Sequence, residues 1–354
     1  MTIGGFKLKA KFLHGGLAIS FVLSGIAHYT HMNTIVQFVL SAITILFAAG
    51  FLGKATESVA HYAGDRLGGF LNATFGNAAE LIIAIFLIKD GLFDILKASL
   101  TGAIIGNLLL VLGLSILLGG LKFKEQKFNK TLASHNASLM VLAIVALFIP
   151  AVFVKDLTPK ETSSMSMIVA GILIVAYLLW LLFSMVTHKN ELADEVVQHG
   201  EPAWSKRTSI IFLVLATAMV GFTSEWLVGT LEEITHRFGL SELFVGAFLI
   251  AIIGNAAEHS AAVMMAMKNK MGAAVEIAVG SSLQIALFVA PVLIIISFFF
   301  GNTMDIVFTT YELAAIAVAV LITKSISQDG STSWYEGVLL LVVYVILGIV
   351  FYLV

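Results

Sequence analysis

Gly76-Asn77-Ala78-Ala79-Glu80 recurs letter for letter as Gly254-Asn255-Ala256-Ala257-Glu258, and each copy lies inside an apolar run long enough to cross a membrane. A carboxylate at the centre of a membrane helix costs about 2.5–3.5 kcal/mol on insertion scales, so two of them at matching points need a compensating partner. A cation held between them is the first to test. Gly-Asn is also a poor helix interior, because Gly leaves the backbone unrestricted and Asn competes for backbone hydrogen bonds. The pattern predicts that each segment opens just before its Glu and turns carbonyl oxygens towards a ligand.

Of the 354 residues, 59% are hydrophobic and 12% charged, and the apolar runs reach the roughly 20 residues that a bilayer core demands. The chain therefore reads as an all-α, polytopic membrane protein, with the lipid bilayer as its surroundings. A net charge of -2 provides no basic field for nucleic acid. Having no cysteine, it can form neither a disulfide nor a thiolate metal site, so any metal is bound by oxygen or imidazole. No resident cofactor is expected, and a homo-oligomer is compatible with the sequence.

Residues 1–32 read as an N-terminal membrane helix. Lys7, Lys9 and Lys11 ahead of Gly25-Ile26-Ala27 also fit a cleaved leader, but the retained helix is preferred. Ten further spans fall near 33–64, 68–90, 94–118, 132–154, 165–187, 207–236, 241–267, 271–299, 304–325 and 334–354, which makes eleven. The second and seventh are the longest; 32 helical residues extend about 48 Å, so these spans tilt or protrude and are candidates for moving parts. With the N-terminus in the cytoplasm, fourteen Lys and Arg of the connections lie inside and five outside, which sends the C-terminus out of the cell membrane. Residues 188–206, with Glu191, Asp194, Glu195 and Glu201, form a polar cytosolic linker, read as a solvated connection.

Spans 2–6 (33–187) and 7–11 (207–354) match in order. Thr56-Glu57-Ser58 answers Ser224-Glu225-Trp226, and the six residues from Asn107 answer the six from Gln284. Five spans per unit is an odd number, so the second copy enters from the opposite side: the inverted repeat of secondary transporters, with its site at the midplane.

Glu80 and Glu258, with Asn77 and Asn255, local carbonyls and water, approach the 6–8 oxygens that Ca²⁺ prefers, whereas Mg²⁺ demands stricter geometry. The competing reading is a pair of protonated carboxyls joining helices; it explains neither the repeat nor the paired Gly76-Asn77 and Gly254-Asn255 breaks. Glu57 and Glu225 either snorkel to an interface or act as gate and proton-path carboxylates. Thr101, Asn107, Ser281, Ser282 and Gln284 supply neutral oxygens, for ligation or for bonds between helices. His259 points about 100° away from Glu258 and suits packing or proton relay better than chelation. His135 and Glu312 occupy corresponding points of the two halves and suggest packing or gating.

At the two Gly-Asn-Ala-Ala-Glu copies and at Gly280-Ser281-Ser282-Leu283-Gln284-Ile285-Ala286-Leu287-Phe288-Val289-Ala290-Pro291, the chain resembles the calcium/proton exchangers of the calcium/cation antiporter superfamily. The resemblance takes in Lys54-Ala55-Thr56-Glu57 and the stretch from Ser99 to Gly113. It implies eleven helices, a core of spans 3, 4, 8 and 9, a mobile pair in spans 2 and 7, and Ca²⁺ at Glu80 and Glu258. The family's acidic helix is matched here by scattered acids in 191–201. The expected activity is Ca²⁺/H⁺ antiport, in which Ca²⁺ and protons compete for the two glutamates. A Na⁺/Ca²⁺ exchanger is the nearest rival. An intramembrane hydrolase would need a nucleophile with its base, and none is evident.

Overall fold

The computed structural model describes residues 3–64, 68, 71, 74–188, 202–301 and 303–354, with backbone alone for 3–12. Its helices are α1 (Ile3–Tyr29), α2 (Thr34–Ala63), α3 (Ala78–Lys89), α4 (Phe93–Phe123), α5 (Lys130–Asp156), α6 (Pro159–Thr187), α7 (Lys206–Phe238), α8 (Glu242–Ala266), α9 (Met271–Phe299), α10 (Thr310–Ile326) and α11 (Trp334–Leu353). Eight of these, among the described residues, are long and apolar enough to cross a membrane. The linker acids Glu191, Asp194, Glu195 and Glu201 lie outside the described residues.

Polar residues set the helix ends. Asn33 and Asn129 accept from backbone N–H groups two residues on, at 2.9 Å each. Thr158 with Glu161, Thr309 with Glu312, and Ser333 with Glu336 form reciprocal capping boxes that start α6, α10 and α11.

The helices group into two compact units, each drawing on both halves of the sequence. The first contains α1, α2, α7, residues 78–86 of α3 and residues 253–257 of α8. Its core joins Leu17 of α1, Ala48 and Leu52 of α2, Ala78 and Ala79 of α3, and Ala216 and Val220 of α7. The end of the linker is docked here: Ala203 N–H donates to Ser58 Oγ (3.1 Å), Tyr62 OH donates to the Trp204 carbonyl (3.0 Å), and the Trp204 ring packs against His14, Phe51 and Phe212.

The second unit contains α4–α6, α9–α11 and the rest of α8. Small residues let its backbones approach. A Cβ on Gly246 would fall 2.4 Å from the Ile95 carbonyl oxygen, and one on Gly337 would fall 2.6 Å from that of Gly113. A two-stranded antiparallel ribbon, β1 (Glu125–Lys127) with β2 (Ser331–Ser333), pairs Gln126 with Thr332 and ties the α4–α5 connection to the α10–α11 connection. A reading of the sequence as wholly helical missed this ribbon.

Two other expectations need correction. The tenth helix starts at Thr310 and not near 304, because residues 303–309 form a strap whose backbone is satisfied by side chains. Met304 N–H donates to Ser297 Oγ (2.8 Å), Ile306 N–H to Ser166 Oγ (3.1 Å) and Val307 N–H to Asp305 Oδ1 (2.9 Å), while Lys97 Nζ donates to Asp305 Oδ1 (2.6 Å) and to the Val307 carbonyl (2.9 Å). The seventh long span is interrupted at Gly229-Thr230, where the Thr230 hydroxyl turns back to the Leu227 carbonyl (2.6 Å).

The tightest approach to another backbone is at Gly102, where an added Cβ would meet the Ala247 carbonyl oxygen at 2.2 Å, so neither backbone can yield cheaply. Gly102→Ala is expected to destabilise the protein by about 1–3 kcal/mol through overpacking. Gly171→Ala, which meets nothing within 4 Å, should leave stability unchanged or slightly raised. Thermal melts of both variants in one detergent check this; equal melting would show that the α4–α8 approach is not tight.

Candidate ion site

In the first unit the chain comes out of helix at the Gly76-Asn77 turn and re-enters it at Ala78, with Leu81 N–H donating to the Asn77 carbonyl (3.0 Å). Glu80 therefore occupies the first turn of α3, where the positive end of the helix dipole favours a carboxylate. Asn77 is buried and Glu80 half-buried. Across from Glu80 runs α8. A Cβ on Gly254 would lie 3.2 Å from Glu80 Cγ and 3.6 Å from its Oε1, so glycine is what lets the helix pass the carboxylate. Asn255, next to it, is fully buried.

The second copy of the motif does not open. Residues 254–258 stay α-helical, and α8 takes its distortion one turn earlier, as a π-helical segment over Val245–Ile250. That widened turn rephases the backbone ladder before Gly254 is reached, so the expected break at Gly254-Asn255 is not needed. Single π-turns inside α-helices concentrate at functional sites.

In the second unit Glu258 is half-buried and accepts a hydrogen bond from Ser281 Oγ on α9 at 2.6 Å. Ser281 Oγ in turn accepts from Asn107 Nδ2 on α4 at 3.1 Å. The sequence left Ser281 and Asn107 between ligation and helix-to-helix bonding, and here they form a buried polar chain ending on the carboxylate. Both partner helices are distorted at this level, with π-helical segments at Gly106–Val111 in α4 and Ile285–Val289 in α9, directly after Gln284. These are the stretches, from Asn107 and from Gln284, that the sequence reading set against one another. Ser282 Oγ donates to the Ala278 carbonyl of its own helix (2.9 Å) and lies 3.4 Å from the Ile104 carbonyl of α4, and Thr101 is buried in α4.

The remaining predicted residues have other surroundings. Glu57 on α2 and Glu225 on α7 are exposed in the first unit. His259 is half-buried beside Glu258 in sequence. His135 faces the rings of Trp180 and Phe183 at centroid distances of 6.5 and 5.9 Å. Glu312 is buried as the acid of the α10 capping box, its Oε2 accepting from both N and Oγ1 of Thr309 at 2.7 Å. The Thr-x-x-Glu spacing at 309–312 was the signal for that role. Among the described residues no three His, Asp or Glu side chains cluster to hold a metal ion, so a cation would rely on amide, hydroxyl and carbonyl oxygens as well as carboxylate.

Eight described helices long and apolar enough to cross a membrane define a multi-pass membrane protein. The chain belongs to the sodium/calcium exchanger protein family, whose model matches residues 33–186 and 208–353. It is 48% identical over 336 residues to the Ca(2+)/H(+) antiporter ChaA of Bacillus subtilis (strain 168), covering 94% of this chain and 96% of that one. The solved structure of native YfkE superposes with a TM-score of 0.86 at 45% identity, covering 97% of this chain and all of that one. A more distant crystal structure, of the H+/Ca2+ exchanger CAX, shares the fold, with a TM-score of 0.75 at 16% identity over 99% of this chain and 92% of that one.

Proposed function

We propose that the chain is a Ca²⁺/H⁺ antiporter of the cell membrane, a transporter and not an enzyme, working by alternating access. The observation that carries this reading is the pair of repeated glutamates: Glu80 at a helix N-terminus facing Gly254, and Glu258 on the Ser281–Asn107 chain. Gly254 and Glu258 are one turn apart along α8. The names of relatives that align over nearly the whole chain agree with it.

Two carboxylates sharing one low-dielectric site cannot both stay charged and unpaired, so the site is neutralised either by protons or by one divalent cation. Asn77, Asn255, Asn107 and carbonyl groups would complete the Ca²⁺ shell, with Ser281 and Gln284 in support. Exchange follows if only an occupied site reorients. The same reading keeps eleven spans in two inverted repeats, with the N-terminus in the cytoplasm and the C-terminus outside. It assigns α2 and α7, bearing Glu57 and Glu225, as the moving pair. Spin labels on α2 and α4 of this cysteine-free chain should then give different distances with Ca²⁺ and at acid pH; a single unchanged distance would refute the moving pair.

In liposomes carrying an outward proton gradient, ⁴⁵Ca²⁺ should accumulate without sodium. Glu80→Gln and Glu258→Gln should each abolish uptake in a folded protein, and Ser281→Ala should weaken apparent affinity about tenfold, the worth of one hydrogen bond to a charged group. Uptake that depends on sodium would instead favour a Na⁺/Ca²⁺ exchanger, and normal flux in either Gln variant would remove that glutamate from the site.

A further inference from the structure

One end of the second unit carries more lysines than acids, Glu125 and Asp329 being the exposed acids of its connections. Three connections meet there: β1 pairs with β2, Gln126 Nε2 donates to the Ala266 carbonyl (2.9 Å) and to Asn269 Oδ1 (3.0 Å), and Lys122 Nζ donates to the Met267 carbonyl (2.9 Å). Lys124, Lys127, Lys130, Lys268, Lys270 and Lys324 are exposed on these connections and the adjoining helix ends. None of the six forms an ion pair among the described residues. Unpaired ammonium groups in this number attract anionic lipid headgroups, each adding about 1 kcal/mol near a charged membrane surface.

At the same end a shallow apolar groove, open to its surroundings, is lined by residues of α4, α5, α9 and α10. Leu108, Ala133, Ala137, Val279 and Val320 wall it, and Thr323, Lys324 and Ser327 lie along its α10 side. Lys130 sits one turn before Ala133 on α5, with its Cβ beside Gly330. An apolar slot with a lysine on each flanking helix matches one class of ligand, a chain with an anionic head. We propose that the groove takes an acyl chain of an anionic phospholipid whose phosphate is held by Lys324 and Lys130. The occupant lies against the π-helical segment of α4. Thr323 Oγ1 donates to the Leu108 carbonyl (3.3 Å) within that segment, and Asn107, the neighbour of Leu108, supports Ser281. The lipid thereby stiffens the backbone that orients Asn107.

The test titrates purified protein in a neutral detergent with phosphatidylglycerol or phosphatidylcholine and counts bound lipid by native mass spectrometry. Wild type should bind phosphatidylglycerol more tightly than phosphatidylcholine. The Lys130→Gln/Lys324→Gln pair should bind phosphatidylglycerol roughly thirtyfold more weakly and lose the preference. Ala137→Phe, which fills the groove, should weaken both lipids, and if it fails to fold the lysine variants decide alone. Lys268→Gln/Lys270→Gln removes the same charge from the same end and should retain the preference. Equal loss in that control pair, absence of any preference in wild type, or displacement of phosphatidylglycerol by an equal concentration of inorganic phosphate would overturn the proposal. None of these readouts depends on ion transport.

Discussion

A carboxylate inside a membrane span must be matched by charge, proton or dipole, and the structure around Glu80 and Glu258 is organised to meet that requirement twice by different means. Glu80 is stationed at a helix start, created by breaking the chain at Gly76-Asn77. Glu258 lies mid-helix and is met instead by a hydroxyl, which is itself fixed by an amide on a third helix. The first solution uses backbone dipoles and the second uses side-chain hydrogen bonds. Identical five-residue motifs therefore adopt different local structure.

Bringing polar groups to one level in apolar helices needs both close approach and local freedom of register. The glycines of α4, α8 and α11 provide the approach, with backbone against backbone at Gly102, Gly246 and Gly337. The π-helical segments provide the register, since each adds a widened turn at the level of Asn107, Gln284 or the stretch before Gly254. Outside this level the second unit is held by ordinary devices: capping boxes, the β1–β2 ribbon, and the strap at 303–309 fastened by Lys97 and Asp305, with Lys97 only 12% exposed.

Much of this was legible in the sequence because a bilayer simplifies the code. Apolar run length located α2, α4, α5, α7, α8, α9 and α11 to within a few residues, and the repeated motif drew attention to Glu80 and Glu258, whose role as the ion site is a proposal. The start of α10 was misplaced because Met304, Ile306, Val307 and Phe308 look like the first turn of a membrane helix, yet the backbone N–H groups of Met304, Ile306 and Val307 are bonded to Ser297, Ser166 and, within the strap itself, Asp305. The π-helical segments could not be read, because Leu108-Leu109-Leu110-Val111 and Ile285-Ala286-Leu287-Phe288 are good α-helix formers whose register is decided by tertiary contacts. The open first motif and closed second one were equally hidden, since the two have the same letters.

Competition between Ca²⁺ and protons for Glu80 and Glu258 is the central claim, and calorimetry of Ca²⁺ binding tests it most directly. Titrations in two buffers of different ionisation enthalpy, repeated across several pH values, count the protons released on binding. If Ca²⁺ displaces protons from the pair, lowering the pH opposes binding, so apparent affinity falls towards acid and proton release appears wherever the calcium-free pair is protonated. Competition predicts that coupling in the wild type and its loss in Glu258→Gln. Tight Ca²⁺ binding that releases no protons at any pH at which the calcium-free protein is protonated would contradict it.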